Sequence, residues 1–106
     1  MSTTITGKLN NAANEFQAGE SMGFGVRIGV QYYDRESKQK EWTNYEGAVF
    51  SNNANQINFL RSNLVGGSVI TISAKTEKIK TFAGQNGDVL SIQLNDCNLD
   101  YVFNPN

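Results

Sequence analysis

Glu41-Trp42, then Val49-Phe50, then Ile57, Leu60 and Leu64, then Gly66-Gly67, then Val69-Ile70-Thr71-Ile72, and finally Lys75 to Lys80, Phe82 and the turn Gln85-Asn86-Gly87: this order, in one continuous stretch, decides the fold. A strand runs from Glu41 to about Ser51. The alternation then breaks over Asn52 to Leu64, where Ile57, Leu60 and Leu64 fall at i, i+3 and i+7, the spacing of a helix of about three turns. Ser51, Asn52 or Asn53 can supply its N-cap, and Gly66 or Gly67 its stop. Past the glycines, Ile70, Ile72 and Ala74 alternate with Val69, Thr71 and Ser73 to predict a long strand. The Gln85-Asn86-Gly87 turn sends the chain back through Val89 to Leu94, where Leu90, Ile92 and Leu94 alternate with Ser91 and Gln93.

Upstream, Phe24, Val26, Ile28, Val30 and Tyr32 alternate with Gly23, Gly25, Arg27, Gly29, Gln31 and Tyr33. The first set predicts a core face. The second carries glycines where a backbone or ligand can come close, together with Arg27 and Tyr33. A turn from Asp34 to Lys40 pairs this strand with the one that starts at Glu41. In that partner, Trp42, Asn44, Glu46, Ala48 and Phe50 share one side and Thr43, Tyr45, Gly47 and Val49 the other, so both sides hold apolar residues. A bulge near Gly47 that switches the parity is the expected reason. Ile5 and Leu9 mark a first strand. The expectation is an all-β, five-stranded OB-fold barrel with one short helix, plugging the open end, between strands three and four.

A chain of 106 residues holds one domain with one core, here residues 1–106, with the barrel to about 102 and a short tail over 103–106. No apolar run is long enough to span a membrane, and Met1 to Lys8 has neither the basic start nor the apolar stretch of a secretion signal, so no membrane partner and a cytoplasmic location are expected. The single Cys97 has no internal disulfide partner and sits in a strand pattern as a small, half-buried residue.

Nine basic against ten acidic residues give a net charge of −1, which excludes a positive field over the whole surface. Positive charge is nonetheless segregated. Lys75, Lys78 and Lys80 outnumber Glu77, and Arg35, Lys38 and Lys40 outnumber Glu36 and Glu41, both at expected hairpin tips.

The pieces, taken in order, resemble the bacterial and phage single-stranded DNA-binding protein family over nearly the whole length, from Thr6 to about Val102. Thr6-Gly7-Lys8-Leu9 is similar to that family's opening strand, and Gly25-Val26-Arg27-Ile28-Gly29-Val30 to its second. Lys40-Glu41-Trp42 resembles the Thr-Glu-Trp start of its third strand, and Phe50 the aromatic near that strand's end. Phe59-Leu60 and Val65-Gly66-Gly67-Ser68-Val69 match the helix and its Lys-Gly-Ser-x-Val exit, with Val65 in place of the lysine. Thr81-Phe82-Ala83-Gly84-Gln85-Asn86-Gly87 is similar to the aromatic hairpin tip.

The resemblance implies a protein that coats single-stranded DNA, or RNA, with little sequence preference in replication, recombination or repair. It implies bases stacked on Trp42, Phe50, Phe82 and Tyr33, with phosphates met by Arg27, Arg35, Lys38, Lys40, Lys75, Lys78 and Lys80. It also implies a homodimer or homotetramer, and no cofactor. Two departures stand out. The third strand holds two extra residues between Trp42 and Phe50, which again suggests a bulge. The family's bacterial members end in an acidic tip that recruits replication and repair enzymes, whereas this chain ends Phe103-Asn104-Pro105-Asn106, so a minimal phage- or plasmid-like form in a bacterial cell is expected.

An enzyme is not expected. The chain has no histidine, one cysteine without a base partner, no phosphate-binding glycine loop ending in Lys and Ser or Thr, and no metal loop around Asp96 and Asp100. The alternative to a DNA-coating role is an OB-fold interaction or accessory factor of the primosomal type, which the acidic balance favours.

Overall fold

The computed structural model describes the backbone of residues 2–84 and 87–106, and the side chains of residues 2–81 and 90–106. In chain order the elements are β1 (Thr3–Leu9), β2 (Asn14–Ala18), β3 (Ser21–Asp34), β4 (Gln39–Ser51), α1 (Ala54–Asn63), β5 (Val69–Gly84) and β6 (Gly87–Phe103). The sheet order is β1-β5-β6-β4-β3-β2, and β1 also pairs with β3 through Lys8↔Gly29 and Leu9↔Ile28. That second pairing closes β1, β3, β4, β6 and β5 into a barrel. Among the described residues the join between β4 and β6 is parallel and every other pairing antiparallel. With the helix between its third and fourth strands, this is the OB-fold expected from the sequence.

The core follows from the alternation. Phe24, Val26 and Ile28 of β3, Val49 of β4, Ile70, Ile72 and Ala74 of β5, Leu94 of β6 and Leu9 of β1 point inward and are buried. Leu60 and Leu64 of the helix segment cover one end of this core. The helix starts where its sequence says. Asn53 caps it, its Oδ1 accepting from the Gln56 N–H at 3.1 Å, while Ser51 Oγ accepts from the Asn53 N–H at 3.1 Å and donates to Gln56 Oε1 at 2.6 Å. It ends at Leu64, and Gly67 takes the positive φ of 93° that turns the chain into β5. There Gly67 N–H donates to Leu9 O and Leu9 N–H to Ser68 O, each at 2.8 Å, which ties the end of β1 to the start of β5. At the other terminus β6 extends through Phe103, and Asn104 Nδ2 donates back to Ser62 O at 3.3 Å.

Two differences from the sequence reading have simple causes. The bulge near Gly47 does not exist: β3 and β4 pair without a register shift from Met22↔Ser51 to Asp34↔Gln39. Thr43, Tyr45, Gly47, Val49 and Ser51 face in along the whole strand. Two extra residues make one full strand period, so they lengthen β4 without turning it over. Apolar side chains occur on both faces because Trp42 and Phe50 are displayed on the outside. Gly47 is glycine for a different reason, since a Cβ there would meet Cys97 Sγ at 3.0 Å and Leu94 Cβ at 3.5 Å where β6 crosses β4. The register shift that does occur lies between β5 and β6, at Thr71/Ile72.

The second difference is β2. Its five residues hold a single large apolar side chain, Phe16, and bury no face, so the sequence carries no alternation to detect. It forms a hairpin with β3 through a two-residue turn, Gly19-Glu20, with Gly19 at φ 61° and Ala18 paired with Ser21. Beyond that pairing, β2 is held by a fork from α1. Arg61 donates through Nε to Glu15 Oε1 at 2.7 Å and through Nη2 to Glu15 Oε2 at 3.1 Å. This hydrogen bonding holds the Glu15 carboxyl below its usual value and raises Arg61.

Truncation of Ile72, which is fully buried between β1 and β6, is expected to cost about 2–5 kcal/mol. The check is a urea titration of Ile72→Ala in which the midpoint falls and the slope stays the same. For the Glu15–Arg61 fork the sign follows from the lowered carboxyl pKa. The pair favours the folded state above the ordinary value of 4.5 and loses that contribution as pH falls through the lower folded value. Melting temperatures measured from pH 6 to pH 3 should therefore fall less steeply in Glu15→Gln than in the parent chain.

Candidate nucleic-acid interface

The outer face of β3 and β4 is a ladder of paired residues: Gly23↔Phe50, Gly25↔Ala48, Arg27↔Glu46, Gly29↔Asn44, Gln31↔Trp42 and Tyr33↔Lys40. The ladder continues sideways. Asn44 pairs with Ser91 and Glu46 with Gln93 on β6, while Ser91 pairs with Lys80 and Gln93 with Lys78 on β5. Partners across a sheet share a face, so Arg27, Glu46, Gln93 and Lys78 form one row and Gly29, Asn44, Ser91 and Lys80 the next. Lys80 Nζ lies 3.4 Å from Glu46 Oε1.

Three of the four aromatics picked from the sequence stand on this face. Trp42 is 57% exposed, Phe50 55% and Tyr33 60%, values that leave ring faces open to solvent although each strand's other side is core. Trp42 and Phe50 are eight residues apart on one side of β4, which is roughly 27 Å of strand. The glycines opposite have specific tasks. A Cβ at Gly29 would come within 3.1 Å of Trp42 Cε3, so the indole rests on bare backbone. A Cβ at Gly23 would run into the ring of Phe16, which lies across from it on β2. The sequence reading left these positions open for a ligand. Two of them, Gly23 and Gly29, hold the protein's own rings instead.

Phe16 is the residue the sequence reading missed. Its ring meets that of Phe50 edge-on, with centroids 5.7 Å apart and planes at 85°. The available signal was a lone aromatic ahead of a Gly-Glu hairpin turn. Together the two rings form a ledge at the end of the face opposite to Trp42. Past Phe50 the surface dips into a cavity of about 210 Å³ between β4, α1 and β6, lined by Phe50, Phe59, Leu60, Cys97 and Leu99. Cys97 is half-buried there, its Sγ donates to Leu94 O at 3.3 Å, and burial pushes the thiol pKa up, which suits a packing residue.

The cations divide. Arg27, Lys40, Lys78 and Lys80 belong to the rows of the outer face. Arg35 and Lys38 occupy the turn from β3 to β4, where Lys38 takes φ 56° and its N–H donates to Asp34 O at 2.8 Å, beside Tyr33 and Lys40. Lys75 does not join them. It lines a shallow depression on the other side of the β5–β6 ribbon with Ser73, Asp96, Asn98 and Asp100. The Phe82 side chain and residues Gln85 and Asn86 of the expected hairpin tip lie outside the described residues. Among the described residues no group of three or more His, Cys, Asp and Glu side chains is placed to hold a metal, and no helix is long and apolar enough to cross a membrane.

No family model and no curated protein sequence matches the chain. Among solved structures, the small single-stranded DNA-binding protein from Streptomyces coelicolor superposes with a TM-score of 0.51 at 14% identity, over 98% of this chain and 93% of that one. The mitochondrial single-stranded DNA-binding protein Rim1 of S. cerevisiae gives 0.48 at 23% identity over 94% of each chain, and the Plasmodium falciparum SSB complex with ssDNA 0.45 at 10% over 92% of each. The Streptomyces superposition, near end to end, shows that this chain shares the OB fold of that protein.

Proposed function

We propose that this protein binds and coats single-stranded DNA with little sequence preference, laying the strand along the outer face of β3 and β4. The observation that carries the reading is the exposure of Trp42 and Phe50 on one side of a single strand whose other side builds the core, with Arg27 and Lys80 between them. A buried sheet face needs apolar residues and a solvated one does not, and rings held there at 55–57% exposure leave flat faces open to a ligand that can stack on them. Bases supply such faces, and stacking tolerates any of them. The position supports the same reading, because the sheet face of the second and third barrel strands is where OB folds take oligonucleotides. The Streptomyces protein that shares the fold is itself named for binding single-stranded DNA.

In this reading Trp42, Phe50 and Tyr33 stack bases, and Phe82 is a fourth stacking position on the strength of the sequence. Arg27, Lys40, Lys78 and Lys80 meet phosphates along the face, and Arg35 and Lys38 meet them at the turn. Lys75, set among Asp96 and Asp100, is left out of the contact set. Coating of this kind would keep strands unpaired during replication or recombination.

The test is a titration of intrinsic Trp42 fluorescence with oligo-dT at low and at physiological salt. Saturable quenching that an equal-length duplex does not reproduce is expected. Absence of both quenching and a mobility shift at micromolar protein would remove the DNA reading in favour of an OB domain that binds another protein. Trp42→Ala and Phe50→Ala should each weaken binding by about 1–3 kcal/mol, the contribution of one stacked base. Lys40→Ala, which removes a cation paired with Tyr33 and away from Glu46, should lower the slope of log K against log salt by about 0.7, the value for one phosphate contact to a single strand.

A further inference from the structure

Glu46 is the one carboxylate in the outer-face rows, and it stands in the middle of them. It is four residues from Trp42 and four from Phe50 on the same side of β4, roughly 13 Å of strand from each. Sideways, its cross-strand partner is Arg27, and its Oε1 lies 3.4 Å from Lys80 Nζ. Neither end of the Lys80 pair is buried, so the pair is not needed to neutralise a charge inside the core, and exposed pairs of this kind contribute little to folding. Its position has a different consequence. A strand laid from Trp42 to Phe50 must carry its phosphates past Glu46, and the two cations best placed to receive them have a carboxylate beside them already.

We propose that Glu46 is a built-in competitor for phosphate, an affinity-setting residue that keeps Lys80 and Arg27 partly neutralised and so holds binding below what the cations and rings alone would give. The inference rests on the single-strand reading above. It gives that reading a physical content: a ligand that offers phosphate charge alone meets a weakened field, whereas a ligand that also stacks on Trp42 and Phe50 gains a contribution that Glu46 does not oppose.

The experiment compares the parent chain, Glu46→Gln, Lys80→Gln and the double variant in titrations with oligo-dT over a series of salt concentrations. Glu46→Gln keeps the shape of the side chain and removes its charge. It is expected to tighten binding about three- to tenfold at low salt and to steepen the slope of log K against log salt by about 0.7 for each cation released to a phosphate. Lys80→Gln is expected to cost a larger factor in the Glu46→Gln background than in the parent, because Lys80 is then free to act; the difference is the coupling between the two residues. Circular dichroism melts of the four proteins establish that each is folded. Unchanged affinity and slope in Glu46→Gln, with the parent chain binding normally, would overturn the competitor role and leave the single-strand reading standing. Absence of binding in both the parent and Glu46→Gln would overturn both.

Discussion

The short parallel seam between β4 and β6 is the constraint on which the rest of the molecule depends. Three residue pairs make it, Asn44↔Ser91, Tyr45↔Ile92 and Glu46↔Gln93. Without it, the β3–β4 hairpin and the β5–β6 hairpin would be joined only through β1, and the sheet would stay open along β4 and β6. With it, the barrel closes, and the cations of β5 are carried to the aromatic face of β4. The seam needs close approach, and Gly47 provides it: the space a Cβ would take is already held by Cys97 Sγ and Leu94. One missing side chain thus serves closure on the inside and the row Arg27, Glu46, Gln93, Lys78 on the outside.

Strand β4 has two readers, the core and the solvent, and period-two geometry keeps them apart. Val49 and Tyr45 pack inward while Trp42 and Phe50 face outward. An insertion of two residues is the smallest change that moves Trp42 and Phe50 further apart yet leaves every side chain on its own face. An insertion of one would have exchanged the faces and buried charge. The length of β4 between its rings is therefore adjustable in steps of two.

Much of this was legible in the sequence, for definite reasons. Phe24, Val26 and Ile28 alternate cleanly because their face is core, and Leu60 and Leu64 fall at helical spacing because one side of α1 covers the barrel end. The cap at Asn53 and the turn at Gly67 are chemical signals that need no tertiary context. What failed to show depended on tertiary contact. The outward aromatics of β4 looked like a break in parity because hydrophobicity alone cannot tell a ring that packs from a ring that is displayed. β2 has no buried face, and its place is fixed by pairing to β3 and by Arg61, 46 residues away from Glu15. Lys75 and Lys78 look alike in sequence, but three positions on a strand put them on opposite sides of the ribbon.

The same geometry answers how a chain of net charge −1 can gather cations on one face. Net charge is a sum, whereas a bound strand responds to charges within about a Debye length, about 8 Å at physiological salt. Asp96 and Asp100 lie on the far side of the β5–β6 ribbon with Lys75, and Glu15 is taken up by Arg61. Arg27 and Lys40 fall on the near side through their pairing across β3 and β4, and Lys78 and Lys80 are brought there by the register across the β4–β6 seam. Folding therefore does with these three carboxylates what composition could not reveal: it sets Asp96 and Asp100 apart from the aromatic face and pairs Glu15 with Arg61. Glu46 is the exception among the paired rows of that face, and its place between Arg27 and Lys80 is the geometry on which the competitor role proposed for it rests.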